Sequence, residues 1–366
     1  MDTPLTPPSP IASYYPGDRF SENYLGEPSG WTLQRILEEF REAARSKRDL
    51  GDRFERLMVD YLKLDPTYNF GEVWMWLNWP GRRNEADTGI DIVAQERITG
   101  DYWAIQCKFY HPEHTLSKRD IDSFFTASGK ALFKHRLIIS TTDNWSENAK
   151  KALEGQHIQV QRIGVQELEN SGIDWSNVRP DWIYATGYGT DGRGDRFGTV
   201  ADDRSGYQVL PSGLQRKPQK VLRPHQQEAL EQVIAGLQEV DRGKLIMACG
   251  TGKTFTSLKI AEAWVGSPPN KGGEDGVTVP LCKRDLGGSG LVLFLVPSIA
   301  LLSQTLREWT AEAAMPIHCV AVCSDPKVSR SSQAGELEDL HTYDLPIPVT
   351  TNAADICEKV RILFPS

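Results

Sequence analysis

The stretch TGIDIVAQERITGDYWAIQCKFY, residues 88–110, decides the fold of the first half of the chain. Apolar and polar residues alternate along its two arms, as they do in β-strands, and the Thr-Gly-Asp sequence at 99–101 is typical of a turn. The stretch therefore predicts a β-hairpin with strands over 89–95 and 102–110.

The two faces of this hairpin carry different residues, because side chains alternate between the faces of a strand. The apolar set of the second arm is predicted to face the core and consists of Trp103, Ile105, Cys107 and Phe109. Gln106 and Lys108 belong to the other, non-core face. Asp91 lies between two isoleucines of the first arm and is predicted to face away from both. The hairpin would then bring Asp91 toward Gln106 and Lys108.

Asp91, Gln106 and Lys108 together suit the hydrolysis of a phosphodiester. Hydrolysis of a phosphodiester needs a divalent cation that polarises the phosphoryl oxygen and activates a water molecule. Oxygen atoms of Asp91 and Gln106 are ligands of the kind that hold Mg²⁺. Lys108 can orient the water or stabilise the negative charge of the transition state. The alternative is that all three are ordinary polar residues on a solvated strand face.

An acid from a helix would complete the metal site. A helix is predicted from about Asp52 to Pro66, with an apolar stripe formed by Phe54, Leu57, Met58, Tyr61 and Leu62. Glu55 borders this stripe and is the candidate third metal ligand. Asp52 and Asp60 are weaker candidates.

The hairpin resembles the active-site hairpin of PD-(D/E)xK nucleases, in particular the Mrr-like restriction endonucleases, and the resemblance covers residues 31–170. It implies a mixed sheet flanked by helices and Mg²⁺-dependent cleavage of double-stranded DNA. By position, it makes Asp91 the metal aspartate, Gln106 the second metal ligand, Lys108 the catalytic lysine and Glu55 the helix acid. Glutamine departs from the acid of the general pattern but often occurs in the Mrr-like branch. Its neutral amide should bind a cation less tightly than a carboxylate.

A second motif, MACGTGKT at 247–254, begins at the end of the apolar run KLIMA (244–248), which is predicted to be a strand, and precedes a predicted helix. Glycines at its centre allow a tight loop whose amides face phosphates, as in P-loops. Lys253 is predicted to reach the β and γ phosphates of ATP, and the Thr254 hydroxyl to bind Mg²⁺. The predicted loop ligands are Gly250, Thr251, Gly252, Lys253 and Thr254.

The surroundings of this loop resemble the first part of a superfamily 2 helicase (DEAD/DEAH-like) ATPase domain over 221–366. Arg223 and Gln226, at a helix start, match the motif that reads adenine. The segment LVLFLVPSIALLSQTLREW resembles the strand, loop and helix that contact the DNA backbone. With the nuclease, the arrangement resembles the N-terminal end of single-polypeptide restriction–modification enzymes. It implies a partial RecA-like fold, ATP as a ligand, and further restriction–modification domains or subunits beyond this chain.

The acidic motif that completes a helicase ATP site is not found after Lys253. The acidic pairs at 274–275 and 338–339 do not end an apolar strand. The chain is therefore expected to bind ATP but to hydrolyse it poorly, since nothing else holds Mg²⁺ or positions the water. Two alternatives stay open: an ATP- and DNA-binding protein with a degenerate nuclease domain, and an inactive gene fragment.

Length and composition indicate how the chain is divided into domains. The 366 residues fit two domains, predicted at 31–170 and 221–366, after a flexible lead-in at 1–30 and around a linker at 171–220. Hydrophobic content of 39% and charged content of 25% are typical of a globular protein. A net charge of −8 excludes a generic basic nucleic-acid coat but allows a local basic groove.

The sequence predicts a soluble cytoplasmic protein without a membrane partner. Its longest apolar run, LVLFLVP, is far shorter than the ~20 residues that span a bilayer, and the proline-rich N-terminus is not a signal peptide. The six cysteines are scattered and are expected to be free thiols. Trp74, Trp76 and Trp79, with Arg82 and Arg83, are predicted to form the core and rim of a strand hairpin, and contact with DNA is the alternative. His111 and His114 are predicted to be loop residues.

Overall fold

The computed structural model describes residues 30–82, 89–130, 132–179, 182, 212–265, 291–323 and 341–363. The helices in these ranges are α1 (Leu33–Ala43), α2 (Lys47–Leu64), α3 (Asp122–Ala127), α4 (Glu147–Leu153), α5 (Val165–Glu169), α6 (Pro224–Glu239), α7 (Lys253–Val265), α8 (Ile299–Glu312) and α9 (Ala353–Leu363). The strands are β1 (Phe70–Met75), β2 (Ile92–Glu96), β3 (Tyr102–Lys108), β4 (Phe133–Ser140), β5 (Val160–Ile163), β6 (Ile173–Asp174) and β7 (Gln215–Arg216). The predicted lead-in up to residue 29, the centre of the predicted linker and both acidic pairs considered above lie outside the described residues.

Strands β1 to β5 form one sheet in chain order. The pairs β1–β2 and β2–β3 are antiparallel, whereas β3–β4 and β4–β5 are parallel. A short turn suffices between antiparallel neighbours, but parallel neighbours need a crossover, which the segments carrying α3 and α4 provide. The predicted mixed sheet flanked by helices is confirmed, and with it the α/β class.

Helices cover both faces of this sheet. Trp103, Ile105 and Cys107 pack with α1 and α2 on one face, as predicted. The face of Gln106, predicted to be non-core, is also buried: Ala104 and Ile138 on that face are 0% exposed beneath α3 and α4. The prediction of a non-core face is therefore wrong for Gln106, and so is the alternative of a solvated strand face, because parallel strands joined through helices are covered on both sides.

Helix α2 carries the candidate acid Glu55 and begins earlier than the sequence predicted. Ser46 is its N-cap, because its side-chain oxygen accepts a hydrogen bond from the Asp49 amide at 3.1 Å. The helix therefore starts at Lys47 rather than near Asp52. It ends at Leu64, just before Pro66, whose ring cannot continue a helix.

The packed unit of the first domain extends beyond residue 170. Strand β6 pairs with β7 across the predicted linker. Trp175, Trp182 and Leu214 are buried in the same core as α1 and α2. The Trp175 ring stacks on the Tyr61 ring, with centroids 6.0 Å apart. Both ends of the predicted linker thus contribute apolar surface to the core.

The second half of the chain contains α6, α7, α8 and α9 without a sheet of its own among the described residues. The strands predicted over 244–248 and 291–297 are absent, which makes both predictions wrong. Ile246 is 89% exposed and Leu293 is 82% exposed. A strand needs a hydrogen-bonded neighbour, and no described residue pairs with either segment.

The structure also bears on the predictions for the tryptophans, histidines, cysteines and membrane spans. Trp76 and Trp79 are buried and Trp74 is partly buried against the same core, as predicted for core and rim. His111 and His114 lie in the loop after β3, and the His114 ring packs 4.1 Å from that of Tyr110. The cysteines that the structure describes are free thiols. Within the described ranges, no helix has both the length and the apolar character needed to cross a bilayer.

Candidate functional site

Asp91 lies just before β2, at the open end of the hairpin. Its amide donates to the Ile105 carbonyl at 3.0 Å, and its Oδ2 accepts a hydrogen bond from the Cys107 amide at 2.7 Å. Asp91 was predicted to face away from both Ile90 and Ile92. This prediction is wrong, because the two isoleucines belong to different core clusters. The regular alternation of side chains between the two faces begins only at Ile92. The Asp91 carboxylate therefore reaches across the hairpin to the backbone of β3.

Gln106 is 1% exposed and is held beside Asp91 by its own amide. The Gln106 Nε2 donates to the Gly89 carbonyl at 2.9 Å. Its Oε1 is buried and accepts no hydrogen bond from any residue that the structure describes. Buried oxygen atoms nearly always have a partner. A buried amide oxygen without one, next to a carboxylate, is suited to binding a cation.

The remaining candidates converge on Cys107. Burial raises the pKa of the Cys107 thiol well above its usual range, the charges of Asp91 and Glu55 raise that pKa further, and Lys108 lowers it. The charges of Asp91, Glu55 and Lys108 therefore all act on the thiol at the end of β3. Glu55, half-buried on α2, is the acid that acts there together with Asp91.

An aromatic contact fixes the position of Glu55 relative to the sheet. The ring of Phe54, its neighbour on α2, meets the ring of Phe109 edge to face, with centroids 5.5 Å apart. Phe109 directly follows β3, so this contact holds α2 against the end of the strand that carries Lys108.

The donor set fits a Mg²⁺ ion. Asp91 and Glu55 offer carboxylate oxygens, and Gln106 offers its unpartnered amide oxygen, all of which are hard ligands of the kind that Mg²⁺ takes. Lys108 is only partly buried and supplies a positive charge at the same end of the hairpin. The structure thus brings together the four residues that the sequence singled out. Their roles stay predictions.

The second candidate site is the glycine-rich loop before α7. Gly250 and Gly252 have φ angles of +76° and +82°, which residues with a side chain rarely adopt. A Cβ atom on Gly252 would also lie 2.4 Å from the Gln226 Nε2. The predicted loop therefore forms, and α7 starts at Lys253 directly after it.

The predicted nucleotide ligands of this loop are held by hydrogen bonds within the protein. The Lys253 Nζ donates to the carbonyls of Met247 and Ala248 at 3.3 and 3.0 Å. The Gln226 Nε2 donates to the Thr251 carbonyl at 2.9 Å, and its Oε1 accepts from the Arg223 amide at 2.9 Å. A bound nucleotide would have to replace the lysine contacts, and base reading by Gln226 would require its release.

A cavity of about 330 Å³ adjoins the loop. The sequence did not single out Lys220, Phe255 or Glu308, which line this cavity. The Lys220 Nζ lies 3.2 Å from the Glu308 carboxylate and 5.9 Å from the centre of the Phe255 ring. These residues are far apart in the chain, and no local pattern joins them. The full lining is Lys220, Val221, Arg223, Gln226, Gly250, Thr251, Gly252, Phe255 and Glu308.

Comparison with known proteins gives three matches. A family model described as restriction endonuclease, of the Mrr type, matches residues 63–182. A second model, described as the res subunit of type III restriction enzymes, matches residues 219–336. No curated protein matches the chain.

The third match is a solved structure, the ATP-dependent type ISP restriction–modification enzyme LlaBIII bound to DNA. It is 30% identical to this chain, with a TM-score of 0.66 over 92% of the chain. The chain spans 18% of the length of that protein. From these matches, the chain carries an Mrr-type restriction endonuclease domain followed by a helicase-like domain of the kind found in type III restriction enzymes.

Proposed function

We propose that the chain is a Mg²⁺-dependent endonuclease of a restriction system, which hydrolyses phosphodiester bonds of double-stranded DNA in the cytoplasm. The observation that carries this proposal is the convergence at the end of β3. Asp91, Glu55 and Lys108 act on the same thiol, beside the buried amide oxygen of Gln106 that has no partner.

Asp91, Glu55 and Gln106 would hold the ion. When bound, Mg²⁺ supplies Lewis-acid polarisation of the phosphoryl oxygen and lowers the pKa of a water ligand. The chain's own contribution is orientation. The Cys107 amide fixes the Asp91 carboxylate, and the Gly89 carbonyl fixes the Gln106 side chain so that its oxygen points away from that bond.

Lys108 would contact the substrate. Its ammonium group is partly exposed where the hairpin opens. There it can hydrogen-bond the attacking water and stabilise the negative charge that develops on the phosphoryl oxygens. Because the other three residues are held by α2 and the hairpin, loss of the Lys108 amine removes this charge without disturbing the ligands.

The helicase-like domain would bind ATP and couple its use to movement along DNA. Support comes from the positive-φ glycines, the start of α7 at Lys253 and the adjoining cavity. The similar solved enzyme is described as ATP-dependent and was bound to DNA. Coupled translocation would involve further restriction–modification domains or subunits.

Cleavage of plasmid DNA by the purified chain tests the nuclease proposal. With Mg²⁺, we expect nicked and linear products that disappear with chelator and in Lys108→Ala. Lys151→Ala, an exposed lysine on α4, is the matched control and should cleave like the unmodified chain. Equal residual cleavage by the unmodified chain and Lys108→Ala would overturn the proposal.

A second candidate function is ATP and DNA binding with a nuclease site that has lost activity. The observation that favours it is Gln106, whose neutral side chain stands at an acidic position. ATP binding that is lost in Lys253→Ala, without cleavage in Mg²⁺ or Mn²⁺, would support this reading. Cleavage restored by Gln106→Glu would assign the loss of activity to this residue.

A further inference from the structure

A group of three metal-binding side chains lies at the closed end of the hairpin, away from the candidate nuclease site. Ligand atoms of Glu96, Asp101 and His135 all lie within 4.8 Å of one another. The His135 Nε2 is 3.8 Å from the Glu96 Oε1 and 3.9 Å from the Asp101 Oδ2. Strand β3 has 7 residues, so at about 3.4 Å per residue it places this group roughly 20 Å from Lys108.

From this geometry we propose that Glu96, Asp101 and His135 form a second metal site, which binds a divalent transition ion of the Zn²⁺ type. One imidazole nitrogen and two carboxylate oxygens are ligands that suit Zn²⁺, whereas Mg²⁺ prefers oxygen ligands alone. This inference does not depend on the proposed nuclease function, because the two sites share no residue.

The fold holds the first carboxylate in position. The Glu96 Oε1 accepts a hydrogen bond from the Trp103 Nε1 at 2.8 Å, and its Oε2 accepts one from the Thr99 hydroxyl at 2.7 Å. Glu96 ends β2 and Trp103 lies in β3, so both strands of the hairpin fix the carboxylate. Each oxygen has a further lone pair available for a cation.

The turn holds the second carboxylate. The Glu96 amide donates to the Asp101 carbonyl at 3.0 Å, and the Asp101 amide donates to the Thr99 hydroxyl at 3.2 Å. Gly100 has a φ angle of +73°, which closes the turn. The Asp101 side chain is 37% exposed, so an ion can reach it from solvent.

The imidazole comes from the neighbouring strand. Parallel pairing of β3 and β4 sets His135 beside Trp103, and the two rings lie 4.7 Å apart. Burial lowers the pKa of His135 to about 4, and Lys359 on α9 lowers it as well, against the raising effect of Asp101. The ring is therefore neutral at pH 7. Its Nε2 makes no hydrogen bond with either carboxylate, because both distances are too long.

The dimensions fit an ion once the three side chains move closer together. Ligand atoms of a four-coordinate zinc ion lie about 3.3 Å apart, given metal–ligand bonds of about 2.0 to 2.1 Å. Movements of about half an ångström would bring the two His135 distances, 3.8 and 3.9 Å, to this separation. The distance between the two carboxylate oxygens, at most 4.8 Å, would have to shorten by up to about 1.5 Å. The buried Nδ1 of His135 has no acceptor in the described structure, and metal-bound histidines normally have one. We therefore expect micromolar rather than nanomolar affinity.

Titration calorimetry of the chelator-treated, tag-free chain tests the proposal, with Zn²⁺ as the probe and millimolar Mg²⁺ in the buffer. We expect one site whose affinity falls by more than about tenfold in Asp101→Asn and in Glu96→Gln. Asp91→Asn, which alters the candidate nuclease site, should bind Zn²⁺ like the unmodified chain. Lys359→Met should tighten binding about threefold, because a positive charge is removed from the neighbourhood.

Cobalt substitution separates this site from the exposed thiols. Co²⁺ bound by nitrogen and oxygen atoms gives no thiolate charge-transfer band, and we expect none. Asp101→Asn is the decisive variant, because its side chain is partly exposed and similar in shape, and a thermal melt without metal should match that of the unmodified chain. Unchanged Zn²⁺ affinity in Asp101→Asn, loss of the site in Asp91→Asn, or a thiolate band that Cys357→Ser removes would each overturn the proposal.

Discussion

The two halves of the molecule both carry a motif with the right spacing, yet they differ in what surrounds it. The hairpin of the nuclease domain lies in a five-stranded sheet that is buried on both faces. The loop before α7 has the expected glycine conformations, but the apolar segments 244–248 and 291–297 are exposed and unpaired among the described residues. The local geometry of the loop is thus present although no sheet surrounds it among the described residues.

The two halves also touch. The Thr67 and Thr310 hydroxyls lie 2.9 Å apart, and the Asn69 amide lies 3.1 Å from the His318 Nδ1. Thr67 follows α2, which carries Glu55, and Thr310 belongs to α8, the helix of the segment that resembles a DNA contact. The two regions therefore carry separate sites but are in physical contact with each other.

The largest expected effect is in the nuclease site. Asp91→Asn should lower the cleavage rate about a thousandfold, because the variant loses a charged ligand that the fold positions for the ion. Its nucleotide affinity should not change, since the loop before α7 lies in the other region. Single-turnover cleavage and ATP titration measure the two effects. Asp122→Asn, on the exposed surface of α3, is the matched control, and comparable losses in both variants would contradict the assignment.

The second prediction tests the difference in packing. Leu137 is 0% exposed in β4, so Leu137→Ala should lower the free energy of unfolding by about 3 kcal/mol through lost contacts and the cavity left behind. Leu293 is 82% exposed, and Leu293→Ala should change this free energy by less than about 0.5 kcal/mol. Urea titrations followed by tryptophan fluorescence measure both. Equal losses would mean that the segment around Leu293 is packed after all.

The third prediction concerns the nucleotide loop. Lys253→Ala should weaken ATP binding about a hundredfold, or about 2.7 kcal/mol, because the phosphates lose their cation. DNA cleavage without ATP should be retained. Lys244→Ala, an exposed lysine in the apolar run before the loop, is the control for removal of a positive charge. Binding of a fluorescent ATP analogue provides the measurement, and a parallel drop in the Lys244→Ala variant would speak against a specific role.

The smallest expected effect is at the contact between the regions. Arg162 pairs with Asp344, whose side chain is 7% exposed, and stacks between the rings of Trp145 and Tyr343. Asp344→Asn should weaken this contact by about 1 to 2 kcal/mol, because a charge-assisted bond becomes a neutral one. Hydrogen exchange should rise in peptides covering 341–350. The exposed Asp355→Asn should leave exchange there unchanged, and no difference between these variants would remove the pair as a stabilising contact.

Much of the fold followed from local patterns. Apolar periodicity located the hairpin and the buried stripe of α2, and the glycine spacing located the loop before α7. The start of α2 was missed because the Ser46 cap precedes the apolar stripe. The strands over 244–248 and 291–297 were wrong because apolar character does not supply the hydrogen-bonded neighbour that a strand needs.

For the sites, sequence and structure contributed different things. The sequence by itself determined the residue types at Asp91, Gln106 and Lys108 and the turn at Gly250 and Gly252, because each group lies within one hairpin or one loop. Only the tertiary structure decided what lies next to them. It placed Glu55 of α2 against the end of β3, and it buried both faces of the sheet. It also set His135 beside Glu96 and Asp101, because parallel pairing joins segments whose separation in the chain no local pattern encodes.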